Sequence, residues 1–104
     1  MKLENNNKSI DLTICNNFFD RFKGFMFEKK IDKCLCFPKC NSIHTFFMLK
    51  PIDVIMTDKN YKIIYIYKNI KPYKFILPKK DVYYTFELPT KTFEFKINEK
   101  IKVI

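Results

Sequence analysis

The most informative stretch of the chain is residues 40–54, which read CNSIHTFFMLKPIDV. This stretch brings the one histidine, His44, together with Cys40 and with Asp53, which follows a proline turn. The β-branched and aromatic residues at 42–48 predict a strand, and residues 52–57 alternate in the manner of a second strand. Two short strands separated by a proline indicate a β-rich fold.

The segment before this stretch predicts a strand, a short helix and another strand. Residues 9–15 alternate as a strand does, and Asn17 is placed to cap a helix of about residues 18–27. Apolar side chains recur at three- and four-residue spacing along this helix and predict a core-facing side. They are Phe18, Phe22, Phe25 and Met26. Residues 34–37 predict a brief strand ended by a proline, and the polar residues 1–8 are expected to be a flexible lead-in.

The chain after residue 57 predicts a series of short strands. Residues 58–60 are a turn signal before a β-branched and aromatic run, so a hairpin is expected there. The predicted strands are residues 61–70, a short strand between Pro72 and Pro78, residues 82–88 and residues 100–104. The one glycine, Gly24, predicts a helix end or a close backbone approach that a Cβ would obstruct.

Three blocks of sequence resemble a known family. They are residues 40–54, the block RFKGFM at 21–26 and the block ELP at 87–89. Over about residues 9–104 the chain resembles the small bacterial and archaeal family called domain of unknown function 192. This resemblance implies a compact β-sandwich or distorted barrel with a small helix packed against it, and it implies no agreed activity.

The expected fold is mainly β, a single compact antiparallel β-sandwich or distorted barrel with one or two short helices. Residues 91–97 admit two interpretations. Their period-two alternation predicts a strand, whereas the resemblance implies a short helix. In the helical interpretation Thr90 is the N-cap, and Asn98 replaces the glycine usual at the end of the helix. We favour the helix.

Composition limits the class of protein. A chain of 104 residues, 47% of them apolar, can form one domain with its own core. The charge of +9 ordinarily raises nucleic acid or an anionic surface as a partner. Here nearly all of the basic residues are lysine, a bias typical of AT-rich genomes. Without a secretory leader or a run of eighteen apolar residues, we expect no membrane span, a cytoplasmic location and reduced cysteines.

Cys40 and His44 carry the first candidate chemistry, a thiolate nucleophile with its general base. The base must lie within about 3 Å of the sulfur. Because extended strand would separate the two side chains by roughly 13 Å, the pair requires a bend at residues 38–41. In this enzyme hypothesis Asp53 orients His44. In the alternative, Cys40 is a small packed residue and Asp53 accepts backbone hydrogen bonds at the proline turn.

The three cysteines of the middle segment suggest a second candidate, a zinc-thiolate site. Its ligands would be Cys34, Cys36, Cys40 and His44. Thiolates and imidazole are ligands that zinc accepts. The spacing is not a standard one, because a full strand pleat separates the first two cysteines. We therefore favour buried structural cysteines and expect neither a metal nor another cofactor.

Arg21 is the one arginine of a lysine-rich chain. Its guanidinium either binds an anion or pins the helix to a carboxylate such as Glu87 or Asp53. The buried clamp is the favoured interpretation, because lysine would suffice at the surface. The tyrosines interleaved with lysines at 61–84 raise single-stranded nucleic acid as an alternative partner. The lysines are not clustered there, so alternate tyrosines are better explained as half-buried sheet surface.

The sequence therefore predicts a non-catalytic binding or accessory module with a pocket or contact surface at residues 41–48. The expected pocket residues lie in one neighbourhood around an imidazole. They are Asn41, Ser42, His44, Phe46, Met48, Asp53 and Arg21. The expected partner is a small molecule or a protein rather than nucleic acid, and a monomer is expected rather than an obligate oligomer.

Overall fold

Nine short strands and one α-helix form the regular structure of the chain. The computed structural model describes the backbone of residues 1–104 and every side chain except that of Phe18. In chain order the elements are β1 (Lys2–Asn5), β2 (Lys8–Ile14), α1 (Phe18–Lys23), β3 (Cys34–Pro38), β4 (Ile43–His44), β5 (Ile52–Thr57), β6 (Ile63–Ile70), β7 (Phe75–Ile76), β8 (Tyr84–Leu88) and β9 (Lys102–Val103).

Seven of the strands form one curled sheet in the order β6-β5-β8-β3-β2-β1-β9, and β4 pairs with β7 in a small second sheet. The β2–β3 pair is parallel and the other pairs are antiparallel. The two ends of the large sheet approach each other, since Ile101 N–H donates to the Tyr61 carbonyl at 3.1 Å. The sheet is therefore a half-barrel, and the expectation of a mainly β, distorted-barrel fold is confirmed.

The central strands are buried on both faces. Along β3, Cys34 and Cys36 belong to a core cluster that also contains residues of the two edge regions, such as Leu3. Leu35 and Phe37 point to the other face and join a second cluster, which includes side chains from the segments after α1 and around β4. A polar side chain on either face of these central strands is consequently removed from water.

The N-terminal residues form a hairpin instead of the expected lead-in. Strand β1 pairs with β2, and the two residues between them, Asn6 and Asn7, have φ of 51° and 66°. Two central residues with positive φ are what a tight two-residue hairpin requires, and asparagine tolerates that conformation. Leu3 is fully buried, so burial of this side chain ties the segment to the core.

Helix α1 begins where the sequence predicts. The Asn17 side chain accepts a hydrogen bond from Asp20 N–H at 2.8 Å, which confirms the predicted cap. The helix ends earlier than expected, at Gly24, whose φ of 47° is outside the helical region. At six residues α1 is far from membrane-spanning length, and no other described segment is an apolar helix of that length.

The predicted core face of the helical segment is correct in part. Phe25 and Met26 are buried, although they follow the helix rather than belonging to it. Phe22 was expected in the core but is 56% exposed. The early helix end changes the direction of the chain, so the helical spacing does not extend to all of these residues. The remaining predicted member, Phe18, lies outside the described side chains.

The predicted strand at 42–48 is shorter in the structure, where only Ile43–His44 is extended. Thr45 ends it, because its hydroxyl donates to the Lys71 carbonyl at 2.7 Å and accepts the Lys74 N–H at 2.9 Å. Phe47 then has a φ of 61° within a turn. The side chains of residues 42–48 therefore do not alternate between two faces along the whole segment, as the predicted strand would require.

Residues 91–97 form neither the favoured helix nor the alternative strand. Lys91 has a φ of 63°, and its N–H donates to Asp53 Oδ2 at 3.2 Å. A left-handed residue at this position cannot start a right-handed helix. Phe93 is buried in the first core cluster and holds the irregular segment against the sheet. Asn98 does adopt the predicted positive φ, at 72°.

Candidate functional site

A small cavity of about 60 Å³ lies between the end of α1, strand β4 and the centre of the sheet. It is lined by Arg21, Phe22, Lys23, Gly24, Phe37, Cys40, Ser42, Ile43, His44, Met48 and Glu87. Five of the predicted pocket and candidate catalytic residues are among these. Since one water occupies roughly 30 Å³ of liquid, the cavity has room for water or for the end of a small polar group.

Glu87 is the unexpected member of this lining. On β8 its cross-strand neighbours are Leu35 of β3 and Val54 of β5, which are both buried. The carboxyl group thus occupies a site on an apolar sheet face, and the residue is only 3% exposed. Among the described side chains, Glu87 Oε1 is the one buried polar atom without a hydrogen-bond partner.

Gly24 allows the backbone after α1 to approach this carboxyl group. A Cβ at Gly24 would lie 3.0 Å from Glu87 Oε1, which is closer than ordinary van der Waals contact. The positive φ of the same residue also favours glycine. Both interpretations of the glycine are therefore confirmed: it ends the helix, and it makes room for a neighbouring side chain.

Burial raises the pKa of Glu87 to about 8. No ion pair joins this carboxylate to a lysine or arginine in the part of the chain that the structure describes. At neutral pH the group is therefore mainly a neutral acid, which has both an O–H donor and a carbonyl acceptor. Such a group can donate a hydrogen bond into the cavity, as an ionised carboxylate cannot.

His44 is fixed by two backbone hydrogen bonds. Its Nδ1 accepts the Phe46 N–H at 3.2 Å, and its Nε2 lies 3.1 Å from the Phe22 carbonyl. This pattern assigns the proton to Nε2, because a carbonyl oxygen only accepts. The imidazole is half-buried beside the cavity and connects α1 to β4. Both ring nitrogens are already engaged, so His44 is a positioned polar group rather than a free base.

Cys40 also lines the cavity but does not form the dyad of the enzyme hypothesis. Its Sγ donates to the Ser42 carbonyl at 3.0 Å. The His44 nitrogens are bonded to other groups, so the imidazole is not hydrogen-bonded to the thiol. The bend at residues 38–41 does occur, with Lys39 at a φ of 52°. It brings Cys40 and His44 to one cavity, although the sulfur and the imidazole do not bond to each other.

The zinc-thiolate set is not assembled. Cys34 and Cys36 face the first core cluster, while Cys40 and His44 line the cavity on the opposite side of the sheet. Burial raises the pKa of Cys36 to about 12 and that of Cys34 well above its usual range. Protonated, buried thiols are poor ligands. No group of three or more potential metal ligands was found among the described side chains.

Asp53 lies outside this neighbourhood, contrary to the prediction. Its Oδ1 accepts the Asn69 N–H at 2.8 Å, and its Oδ2 accepts the Lys91 N–H at 3.2 Å. It lines a different cavity of about 360 Å³. These bonds are those of the structural alternative, in which the aspartate anchors backbone next to the proline turn. It therefore does not orient His44.

Arg21 does not form the predicted clamp to a carboxylate. Its guanidinium donates to the Lys39 carbonyl at 3.0 Å and is half-exposed. None of the four ion pairs among the described side chains joins Arg21 to Glu87 or to Asp53. Because a backbone oxygen satisfies the guanidinium, Arg21 links α1 to the bend after β3. It also adds positive charge to the rim of the cavity.

The other two predicted pocket residues lie at the surface. The Asn41 side chain is exposed, and the backbone carbonyl of this residue accepts the Lys79 N–H at 3.0 Å. Phe46 is exposed and stacks on His44, with ring centroids 5.3 Å apart. The site is therefore smaller than predicted: Arg21, Cys40, Ser42, His44 and Met48 share the cavity. Glu87 was considered as part of the ELP block and as a partner for Arg21, but it was not predicted as a pocket residue.

A family model described as uncharacterized ACR, DUF192, matches residues 1–103. The chain belongs to the DUF192 family. The earlier resemblance, based on three short blocks, is confirmed over nearly the whole sequence.

Archaeal members of the family are similar to this chain. The UPF0127 protein of Thermococcus sibiricus is 37% identical over 82 residues, which is 73% of this chain and 53% of that protein. The UPF0127 protein of Pyrococcus abyssi is 32% identical over 100 residues, 88% of this chain and 84% of that protein. The chain spans about half the length of the first curated relatives that it matches.

Two bacterial structures share the DUF192 architecture. A protein from Sinorhizobium meliloti, described as a candidate transcription regulator, has a TM-score of 0.82 at 15% identity and covers 97% of this chain and 89% of its own. A protein of unknown function from Novosphingobium aromaticivorans has a TM-score of 0.72 at 16% identity, and the match covers 86% of this chain and 71% of that protein. At these identities the likeness shows the fold alone.

Proposed function

We propose that this DUF192 protein is a non-catalytic binding module whose cavity beside Glu87 receives the polar end of a small molecule or of a partner's side chain. The observation that carries the proposal is the unpartnered Glu87 Oε1 in the cavity wall. A buried polar atom without a partner costs about 1–3 kcal/mol. A ligand that supplies the missing hydrogen bond recovers this free energy, which gives the site its affinity.

The chemistry of the wall selects a hydrogen-bond acceptor. The neutral Glu87 carboxyl offers an O–H, and Arg21 contributes positive charge to the same lining. Lys23 also lines the cavity, but its ammonium pairs with Glu28 at 3.2 Å. A carboxylate or carboxamide matches these donors, whereas an ammonium group meets like charge. The volume of about 60 Å³ admits only a few heavy atoms, so the body of the ligand remains outside.

The geometry favours binding over turnover at this site. The Cys40 thiol and the His44 imidazole are both bonded to backbone groups, so neither is poised for attack or for proton transfer from the other. Nucleophilic catalysis requires a nucleophile bonded to its base. The same bonds hold the cavity wall in place, which reduces the entropy lost when a ligand binds.

The test is a solution NMR titration of the chain with three small probes: acetate, acetamide and methylammonium. We expect acetate and acetamide to shift the amide resonances of Gly24 and His44 in the millimolar range, which is usual for ligands of so few atoms. Methylammonium is expected to leave them unchanged. The response should fade above the pKa of Glu87, since the ionised carboxylate repels acetate and has lost its donor.

A matched pair of variants assigns the response to the carboxyl group. Glu87→Met removes the donor at similar side-chain volume, and Glu94→Met makes the same change on a side chain that is 90% exposed. We expect the first to abolish the shifts and the second to retain them. If no probe perturbs Gly24 or His44, or if Glu87→Met responds like the wild-type chain, the proposed binding site is wrong.

A further inference from the structure

A connected group of aromatic rings covers one part of the surface. We define the aromatic patch as Phe27, Phe46, Phe47, Tyr73 and Phe75, all of which are exposed. Ring centroids are 5.6 Å apart for Phe27 and Phe47, 5.8 Å for Phe47 and Tyr73, and 6.1 Å for Phe46 and Phe75. Contiguous apolar surface of this kind marks a site of interaction in proteins.

Three residues of the aromatic patch have a strained backbone conformation. Phe27, Phe47 and Tyr73 have φ of 64°, 61° and 64°, and all three lie in turns. Bulky side chains rarely adopt this left-handed conformation, which asparagine or glycine would occupy at lower cost. Three of the five rings of the aromatic patch are therefore held at the surface at the expense of folding stability. Such strain is typical of functional positions.

Positive charge is concentrated in the segments of the chain that carry the aromatic patch. These segments, residues 19–32, 39–50 and 71–77, contain eight basic and three acidic residues. The rest of the chain contains twelve basic and eight acidic residues. A general excess of lysine in the composition does not account for this uneven distribution. The patch and its surroundings therefore complement a partner that is apolar and anionic.

We propose that the aromatic patch docks on the surface of an anionic lipid bilayer. Aromatic side chains are favoured at the membrane interface, and lysines around them attract acidic headgroups. The rings meet at angles such as 72° for Phe47 and Tyr73, so they cover part of one another's faces. Single-stranded nucleic acid requires open ring faces on which bases stack. The exposed aliphatic side chains of Leu49 and Leu77 suit the acyl region and offer no stacking surface.

The experiment is cosedimentation of the chain with vesicles. We expect binding to equimolar phosphatidylserine and phosphatidylcholine at low salt, weaker binding at high salt, and little binding to phosphatidylcholine alone. The double variant Phe47→Asn with Tyr73→Asn should bind about tenfold more weakly. Asparagine tolerates the positive φ of both turns, so this variant is designed to remain folded, which circular dichroism checks.

Two controls separate the aromatic patch from general stickiness and general charge. Ile97→Asn removes another exposed apolar side chain outside the aromatic patch, and it should bind as the wild-type chain does. Lys71→Glu with Lys74→Glu should lose the preference for phosphatidylserine. The matched pair Lys59→Glu with Lys62→Glu changes two exposed lysines on the β5–β6 turn and should largely keep the preference.

Several results would overturn the docking proposal. They are the absence of sedimentation with mixed vesicles at low salt, equal binding by the asparagine variant, and release from vesicles by an oligothymidylate that binds more tightly. A dimer in solution that the asparagine variant dissociates would assign the aromatic patch to a second copy of the chain instead. None of these variants changes Glu87, so the acetate titration tests the cavity independently.

Discussion

Replacing Glu87 with glutamine is expected to change how the stability of the protein depends on pH. Glutamine keeps the shape of the side chain but cannot ionise. In the wild-type chain the buried carboxyl must either stay protonated or place a charge on an apolar sheet face between Leu35 and Val54. Unfolding releases the carboxyl group into water, where it ionises readily. A rise in pH therefore lowers the free energy of the unfolded state but not that of the folded state.

The size of the effect follows from the two pKa values of this group, 4.5 in its ordinary state and about 8 in the folded protein. Its contribution to the free energy of unfolding is complete below pH 4.5 and is lost as the pH rises towards 8. The loss is about 1.4 kcal/mol per pH unit, or about 3 kcal/mol by pH 7. Since domains are stable by only about 5–15 kcal/mol, the loss is large enough to measure.

The assay is urea denaturation followed by tyrosine fluorescence, at about pH 5 and about pH 7. We expect the free energy of unfolding of Glu87→Gln, relative to the wild-type chain, to increase by about 2–3 kcal/mol between these two values, since a small part of the loss has already occurred at about pH 5. The control is Glu94→Gln, because that side chain is 90% exposed. It should follow the wild-type profile at both pH values.

If wild-type chain and Glu87→Gln show the same difference in stability at both pH values, the carboxyl group does not titrate abnormally. The cavity would then contain an ordinary carboxylate, and its selectivity for a hydrogen-bond acceptor would be lost.

Three further predictions concern the residues around the site. Gly24→Ala should lower the free energy of unfolding by about 1–2 kcal/mol, because a Cβ is strained at the positive φ of this residue and would also lie too close to the Glu87 carboxyl. An unchanged urea midpoint would contradict this. Asp53→Ala should lower the free energy of unfolding by about 1–3 kcal/mol in the same assay and leave the NMR resonances of the His44 ring unchanged. A shift of those resonances would indicate that Asp53 does interact with His44. Native alkylation read by mass spectrometry should modify Cys40 before Cys36, since burial keeps the latter protonated; the reverse order would be inconsistent with the fold.

Local signals in the sequence were sufficient for much of the fold. The cap at Asn17, the helix end at Gly24 and the strands β3, β5 and β8 all follow from residue types within a few positions of each other. At residues 91–97 the local signals did not predict the observed conformation. Their conformation is set by a hydrogen bond from Lys91 to the distant Asp53, which neither periodicity nor the family resemblance contains.

The site was predicted only in part for a similar physical reason. The bend after β3 brings Arg21, Cys40 and His44 to one cavity, and the one histidine was a sound guide to it. Glu87 was named only as a partner for Arg21 and was missed as a pocket residue, because in the run YTFEL a glutamate between two apolar residues ordinarily indicates a solvent-facing position. Only the sheet order, which places β8 between β5 and β3 and covers both faces, shows that this position is buried.

The most direct test of the account is the titration of the Glu87 side-chain carboxyl by carbon-13 NMR in the folded protein. We predict a midpoint near the value of about 8 that burial imposes on the pKa of this group. A midpoint near the ordinary value of 4.5 would show that the carboxyl is ionised at neutral pH and would contradict the proposed site.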